Sequence, residues 1–142
     1  MKFIVSKLSF FFFFLVLVSS CKKDPADAPV KDLKSKMVGE WKYEKLVEKE
    51  YSFTGTLLRE NSFATTNGEY YNFKEDGTAV QYFNQVSNET FKITAENRFE
   101  INTGSVNPCR VERLSENIFV FIVEGPRRDN SEYREYTHFL KR

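Results

Sequence analysis

Short stretches in which apolar and polar residues alternate, separated by turn residues, fill most of the chain after residue 38. A period of two is typical of a β-strand with one buried and one solvated face. Asp76-Gly77, between two aromatic runs, is the strongest hairpin signal. Residues 32–37 predict a single helical turn, with Leu33 and Met37 on the same side. The predicted strands are an opening strand around 41–47, three hairpins (69–74 with 78–84, 90–95 with 98–102, 110–114 with 118–124) and a closing strand over 132–140.

These strands predict an all-β fold, an eight-stranded antiparallel up-and-down β-barrel, because consecutive hairpins follow one another without long crossovers. A β-sandwich is the alternative architecture. A barrel of this size is either filled by side chains or holds one small ligand. Large aromatic side chains at predicted inward positions favour a filled interior: Tyr71, Phe73, Phe83, Phe91, Phe99 and Phe121.

The connection over residues 52–67 is long and unusually apolar. It contains Phe53, Leu57, Leu58 and Phe63, and loops of this length often form lids or binding loops. We therefore expect these four residues to contact a ligand at the mouth of the barrel. The alternative is that the segment plugs the barrel end or extends the first hairpin.

A second candidate rim lies at residues 125–131, where Arg127 and Arg128 are adjacent. Two neighbouring guanidinium groups can bind a carboxylate or phosphate headgroup. The alternative is that they form a solvated loop tip.

The N-terminal 20 residues have the layout of a secretory signal peptide: a basic start with Lys2 and Lys7, a short apolar core and the small residues Ser19-Ser20. The cysteine that follows, Cys21, resembles the lipobox cysteine of bacterial lipoproteins. That resemblance implies cleavage before Cys21, lipidation of its thiol and acylation of its new amino group. It also implies an envelope location, with outer-membrane sorting favoured because the next residue is lysine rather than aspartate.

The mature chain would keep 122 of the 142 residues, enough for one small domain over residues 33–142. Losing Lys2 and Lys7 leaves 19 basic against 20 acidic residues, so we expect no binding to nucleic acid. Residues 21–32 are charged and contain two prolines, which predicts an extended tether.

The chain offers little for catalysis, so we expect no enzymatic activity, no metal and no cofactor. His138 is the only histidine, and we expect it to pack against aromatic rings. A dyad with Cys109 is conceivable, but both residues fall on predicted strands, and Cys109 suits a small buried position. The acidic residues are interpreted as lying on solvated positions of the strands.

Gly39-Glu40-Trp41 resembles the Gly-x-Trp signature of lipocalins, and residues 73–78 resemble the Phe-x-x-Asp-Gly-Thr hairpin of small bacterial lipocalin-like lipoproteins. The resemblance implies that Trp41 packs across the closed end of the barrel, under an arginine from the end of the last strand, with Arg142 as the candidate. Gly39 and Trp41 would then form a structural cap.

Two functions remain open at this point, and we favour the first over the second. The first is a membrane-anchored barrel that binds a small hydrophobic ligand in its interior or at its mouth. The second is a filled barrel that binds another envelope protein through its surface.

Overall fold

The computed structural model describes residues 32–66, 68–127 and 131–142. In this part of the chain one short helix precedes nine strands. The elements are α1 (Leu33–Met37), β1 (Gly39–Tyr51), β2 (Leu57–Ala64), β3 (Tyr70–Phe73), β4 (Thr78–Phe83), β5 (Gln85–Ala95), β6 (Arg98–Asn102), β7 (Val106–Leu114), β8 (Ile118–Glu124) and β9 (Tyr133–Lys141). None of the helices in these residues is long and apolar enough to cross a membrane.

The strands form one antiparallel sheet that closes into an eight-stranded up-and-down barrel, as the sequence pattern predicted. Neighbouring strands in the sheet follow chain order from β3 to β9, and β9 closes the barrel by pairing with β1. The start of β1 pairs with β3 (Trp41 opposite Tyr71), while its later part pairs with β2 (Leu46 opposite Phe63). β2 and β3 therefore act as one barrel strand that is interrupted at residues 65–69.

The segment expected to be a long loop is largely β2, so the loop assignment of residues 57–64 is wrong. The alternative in which this segment extends the first hairpin is confirmed. The true connection is a tight turn in which the Ser52 N–H donates to Thr56 O at 2.9 Å. None of the β2 side chains is buried, and so the segment lacks the periodicity from which a strand is predicted.

Two other strands begin earlier than the pattern indicated. β5 starts directly after Asn84, which has a φ of 63°, a left-handed conformation that asparagine tolerates better than most residues. β7 starts at Val106 and includes Pro108. Proline lacks an N–H, so in a sequence it usually indicates a strand boundary.

Aromatic rings fill the half of the barrel that contains Trp41. Five of the six rings predicted to point inward are buried, and Phe83 packs against them at the edge of the core. Phe73 is central, with ring centroids 5.3 Å from Phe91, 5.7 Å from Phe119 and 6.3 Å from Phe121. Tilted and edge-on pairs at these separations are the arrangements that aromatic rings prefer.

Trp41 closes one end of the barrel, as the resemblance implied. Its ring is fully buried, and its Nε1–H donates to Met37 O at 2.7 Å, which fastens α1 over the opening. The guanidinium of Arg142 lies 3.9 Å from the centroid of the Trp41 ring and donates to Val38 O. Gly39 has a φ of +119°, and a Cβ there would lie 2.8 Å from Arg142 Nη2. A glycine is therefore needed for the arginine to lie across the tryptophan.

The opposite end of the barrel is formed by three turns and by the ends of β8 and β9. Strand register places the turns at residues 52–56, 84 and 103–105, together with Glu124 and Tyr133, at the end away from Trp41. We call this the open end, and the Trp41 end the capped end.

Candidate ligand-binding site

A cavity of about 210 Å³ lies inside the barrel on the open-end side of the aromatic core. Its lining combines a few apolar side chains with many hydrogen-bonding groups: Tyr71, Gln81, Glu89, Ile101, Thr103, Asn107, Val123, Tyr136 and His138. None of these nine residues is lysine or arginine. Convergent polar groups in a concave, partly buried space are typical of small-molecule sites.

Two consecutive hydrogen bonds determine which ring nitrogen of His138 carries the proton. Gln81 Nε2–H donates to the Tyr43 hydroxyl at 2.8 Å, and that hydroxyl lies 2.7 Å from His138 Nδ1. The Tyr43 oxygen accepts from Gln81, and His138 Nδ1 is the one other partner of that hydroxyl among the described residues, so we assign the Tyr43 proton to the bond with Nδ1. The neutral imidazole then carries its proton on Nε2, which has no hydrogen-bond partner among the described residues.

His138 stays uncharged at neutral pH. The ring is 6% exposed and stacks on Phe121, with centroids 4.4 Å apart and planes 7° apart. Burial lowers the pKa of His138 to about 3. Burial also raises the pKa of Tyr43, so this hydroxyl keeps its proton. The expectation that His138 packs against aromatic rings is confirmed.

Glu89 is the only carboxylate in the cavity lining, and it is 5% exposed. The Tyr71 hydroxyl donates to Glu89 Oε2. Burial raises the pKa of Glu89; hydroxyl groups of Tyr71 and Ser87 oppose this rise, and no basic side chain contributes to the shift. The interpretation that acidic residues occupy solvated positions is therefore wrong for Glu89.

The sequence did contain a signal for this inward glutamate. Ser87, Glu89 and Phe91 are spaced two apart in β5, so they share one face of the strand. Extending the alternating pattern upstream from Phe91 would have placed Glu89 inside the barrel. The predicted strand begins at residue 90, directly after Glu89, whereas β5 begins at Gln85.

A network of charged groups lies above the cavity at the open end. The Tyr136 hydroxyl donates to Glu48 Oε1 at 3.2 Å, and Arg134 pairs with both Glu48 (3.3 Å) and Glu50 (3.0 Å). Hydrogen bonds and charge from Arg134 lower the pKa of Glu50, with Arg59 adding to the effect. These interactions hold the Tyr136 side chain between the cavity and the charged groups of the open end.

One of the four expected mouth residues shares the face of His138. Phe63 lies opposite Leu46 in β1, and Leu46 lies opposite His138 in β9, which places the three in one row on the same face of the sheet. The Phe63 side chain is 42% exposed. Phe53, Leu57 and Leu58 lie at the far tip of the β1–β2 hairpin and do not line the cavity.

The expected arginine rim is described only in part. Arg127 lies at the open end, where its guanidinium is 4.3 Å from the centroid of the Tyr133 ring and 3.6 Å from Glu135. Arg127 is thus paired within the protein. Arg128, Cys21 and the predicted signal peptide at residues 1–20 lie outside the described residues, as does the predicted tether apart from Asp32.

Cys109 and His138 do not form a hydrogen-bonded dyad. The Cys109 thiol is fully buried in β7, its contact is with Asn107 O at 3.5 Å, and burial raises its pKa, which disfavours the reactive thiolate. In residues 32–66, 68–127 and 131–142, no group of three or more His, Cys, Asp or Glu side chains is placed to hold a metal ion.

A larger depression, of about 470 Å³, lies against the outer face of β4 and β5. Thr78, Val80, Asn88 and Thr90 line it. These residues alternate with buried Ala79 and Glu89, so their side chains point out of the barrel. This shallow surface lacks the buried convergent groups of the interior cavity.

No protein-family model matches the chain, and comparisons with curated proteins and with solved structures find no significant match.

Proposed function

We propose that the protein is a small-molecule-binding β-barrel whose ligand occupies the cavity at the open end. The observation that carries this proposal is the division of the interior into two halves. The capped half is packed with aromatic rings, whereas the open half keeps about 210 Å³ lined by hydrogen-bonding side chains. Buried polar groups lower stability unless they are fully paired, so a barrel that served only as a scaffold would gain by filling this space with apolar side chains.

The size and lining of the cavity favour a compact ligand with polar groups. At roughly 30 Å³ for each water in the liquid, the volume equals that of about seven waters. Drug-sized sites are larger, roughly 300 to 1,000 Å³. The proposal therefore departs from the small hydrophobic ligand expected from the sequence. Apolar contact would come from Phe63 and Leu46 at the mouth.

The proposal includes the membrane anchor and the lipocalin-like family expected from the sequence. The closed eight-stranded barrel with Trp41 under Arg142 supports a lipocalin-like assignment. The lipobox-like sequence supports lipidation of Cys21 and a place in the bacterial envelope, with the outer membrane favoured. Cys21→Ser should move the protein from the membrane fraction to the soluble fraction, and unchanged fractionation would exclude this anchor.

Native mass spectrometry tests the binding proposal. The full chain is extracted gently from the membranes of its own cells, and we expect an additional small mass that leaves on collisional activation. Val123 lines the cavity, so Val123→Phe should fill it and abolish the additional mass. Val120→Phe is the matched control, because Val120 lies on the same strand and alternates with buried residues, which places it on the outer face.

The wild type and Val120→Phe should retain the additional mass equally. A clean apo mass in every preparation, or equal retention by Val123→Phe with the fold intact, would refute a ligand in this cavity. Circular dichroism of both variants checks the fold.

A second candidate function is recognition of another envelope protein by the tip of the β1–β2 hairpin. The exposed fractions of Phe53, Leu57 and Leu58 there are 65%, 47% and 52%. Clustered apolar side chains on a projecting tip favour a protein contact. Replacing Phe53 and Leu58 with serine should abolish co-purification of a partner without changing the melting temperature, and an unchanged set of recovered proteins would count against this function.

A further inference from the structure

The buried carboxylate of Glu89 lacks a cationic partner. None of the ion pairs among the described residues includes Glu89, although Glu48, Glu50 and Glu135 near the open end each pair with an arginine. Glutamate is almost never this deeply buried unless a positive charge compensates it. The Tyr71 hydroxyl supplies one hydrogen bond and no charge.

The rest of the cavity lining cannot supply the positive charge either. His138 is held neutral by burial, and its Nδ1 is occupied by the Tyr43 hydroxyl. Burial and the neighbouring Glu89 raise the pKa of Tyr71, so Tyr71 remains a neutral donor. The one side chain in the lining that can carry charge at neutral pH is thus an acid. Such a lining repels anions and attracts cations.

We infer that the cavity binds a small organic monocation, whose ammonium group pairs with the carboxylate of Glu89. This inference rests on the proposed function, since it names the class of ligand for the same cavity. Two aromatic side chains, Tyr71 and Tyr136, belong to the lining, and aromatic rings suit a cation or an apolar ligand body. The unpartnered Nε2–H of His138 would donate to an acceptor elsewhere on the ligand. This hydrogen bond would favour one orientation of the ligand in the cavity.

Three probes of nearly equal size and shape test the inference: benzylamine, benzyl alcohol and benzoate, which are cationic, neutral and anionic at pH 7.5. Each is titrated into the full chain, and amide shifts of cavity residues are followed by NMR. We expect benzylamine to bind at least tenfold more tightly than benzyl alcohol, and benzoate not to bind.

Glu89→Gln should reduce benzylamine affinity at least tenfold, to the level of benzyl alcohol, and leave the alcohol unchanged. Glutamine keeps an oxygen that can accept from the Tyr71 hydroxyl, so the local hydrogen bond is retained. Glu116→Gln is the matched control, because it makes the same charge change at an exposed turn position near the capped end and should alter affinity less than twofold.

Equal affinities for the amine and the alcohol in the wild type would overturn the cation assignment and leave small-molecule binding intact. Unchanged benzylamine affinity in folded Glu89→Gln would also overturn it. If none of the probes binds, the cation assignment fails, and native mass spectrometry decides the proposed function separately. The wild-type comparison needs no variant, so it can refute the inference even where Glu89→Gln does not fold.

Discussion

The buried neutral state of His138 should make the protein lose stability as the pH falls. Its pKa is about 3 in the folded chain, against the usual 6.5 expected in the unfolded chain. Between these two values the unfolded chain binds the proton and the folded chain does not. Stability from this group is therefore complete above pH 6.5 and is lost as the pH falls toward 3.

The two pKa values give the size of the effect. At 1.36 kcal/mol per pKa unit, His138 alone should lower the free energy of unfolding by about 2 kcal/mol at pH 5 and about 4 kcal/mol at pH 3, relative to pH 8. Typical domains are stable by only about 5–15 kcal/mol, so the loss is large. Glu89 acts in the opposite direction, because its raised pKa gives stability that is present in acid and lost as the pH rises.

A comparison with His138→Asn separates the two contributions. Asparagine keeps an acceptor close to the position of Nδ1, so the Tyr43 hydroxyl retains a partner. Urea unfolding at pH 8, 6.5 and 5, followed by circular dichroism, gives the free energy of unfolding for both proteins. Between pH 8 and pH 5 the wild type should lose about 2 kcal/mol more than the variant.

Parallel pH profiles for the two proteins would refute this reasoning. NMR offers a direct check, because His138 is the only histidine and its ring signals are unambiguous. A titration of those signals near pH 6.5 in the folded protein would show that the ring is accessible to protons and would exclude the buried neutral state.

Three further predictions concern the packing of the barrel. Trp41→Ala should lower the free energy of unfolding by about 3–5 kcal/mol, because it removes a fully buried ring and the hydrogen bond to Met37; a change below about 1 kcal/mol in urea unfolding would contradict this. Gly125→Ala should lower the melting temperature, because a Cβ would collide with the backbone oxygen of Arg134, and an unchanged thermal unfolding curve would show that the strands shift freely. Cys109 should react with iodoacetamide only on unfolding, as mass spectrometry of the labelled chain can report; rapid labelling of the native protein would show that β7 opens.

Much of the barrel could be predicted because buried and exposed side chains alternate along the strands that form its core. Phe73, Phe99 and Phe121 lie on strands with clear alternation, and all three are buried. The turn at Asp76-Gly77 was also predictable, since Asp76 Oδ1 accepts from the Thr78 N–H at 2.9 Å and Gly77 has a φ of +84°. Residues close together in the chain determine these strands and this turn, so the sequence alone is enough to predict them.

β2 could not be predicted in this way, because neither of its faces is buried. Its strand conformation comes from pairing with β1, which is a tertiary interaction without a periodic signature. The candidate site was hidden for a similar reason. Tyr43, Gln81 and His138 belong to β1, β4 and β9, and only closure of the barrel brings their side chains together.

The capped end has a mechanical consequence. Asp32 precedes α1 over this opening, and Arg142 lies on Trp41, so both ends of the described chain meet there. The terminal strands β1 and β9 are antiparallel neighbours whose pairing begins at Lys42 and Lys141. Tension between residues 32 and 142 would therefore unzip the ladder one pair at a time rather than shear many hydrogen bonds together. In optical tweezers, the barrel should yield at a lower force along this axis than when pulled between residue 142 and the open-end turn at residue 104.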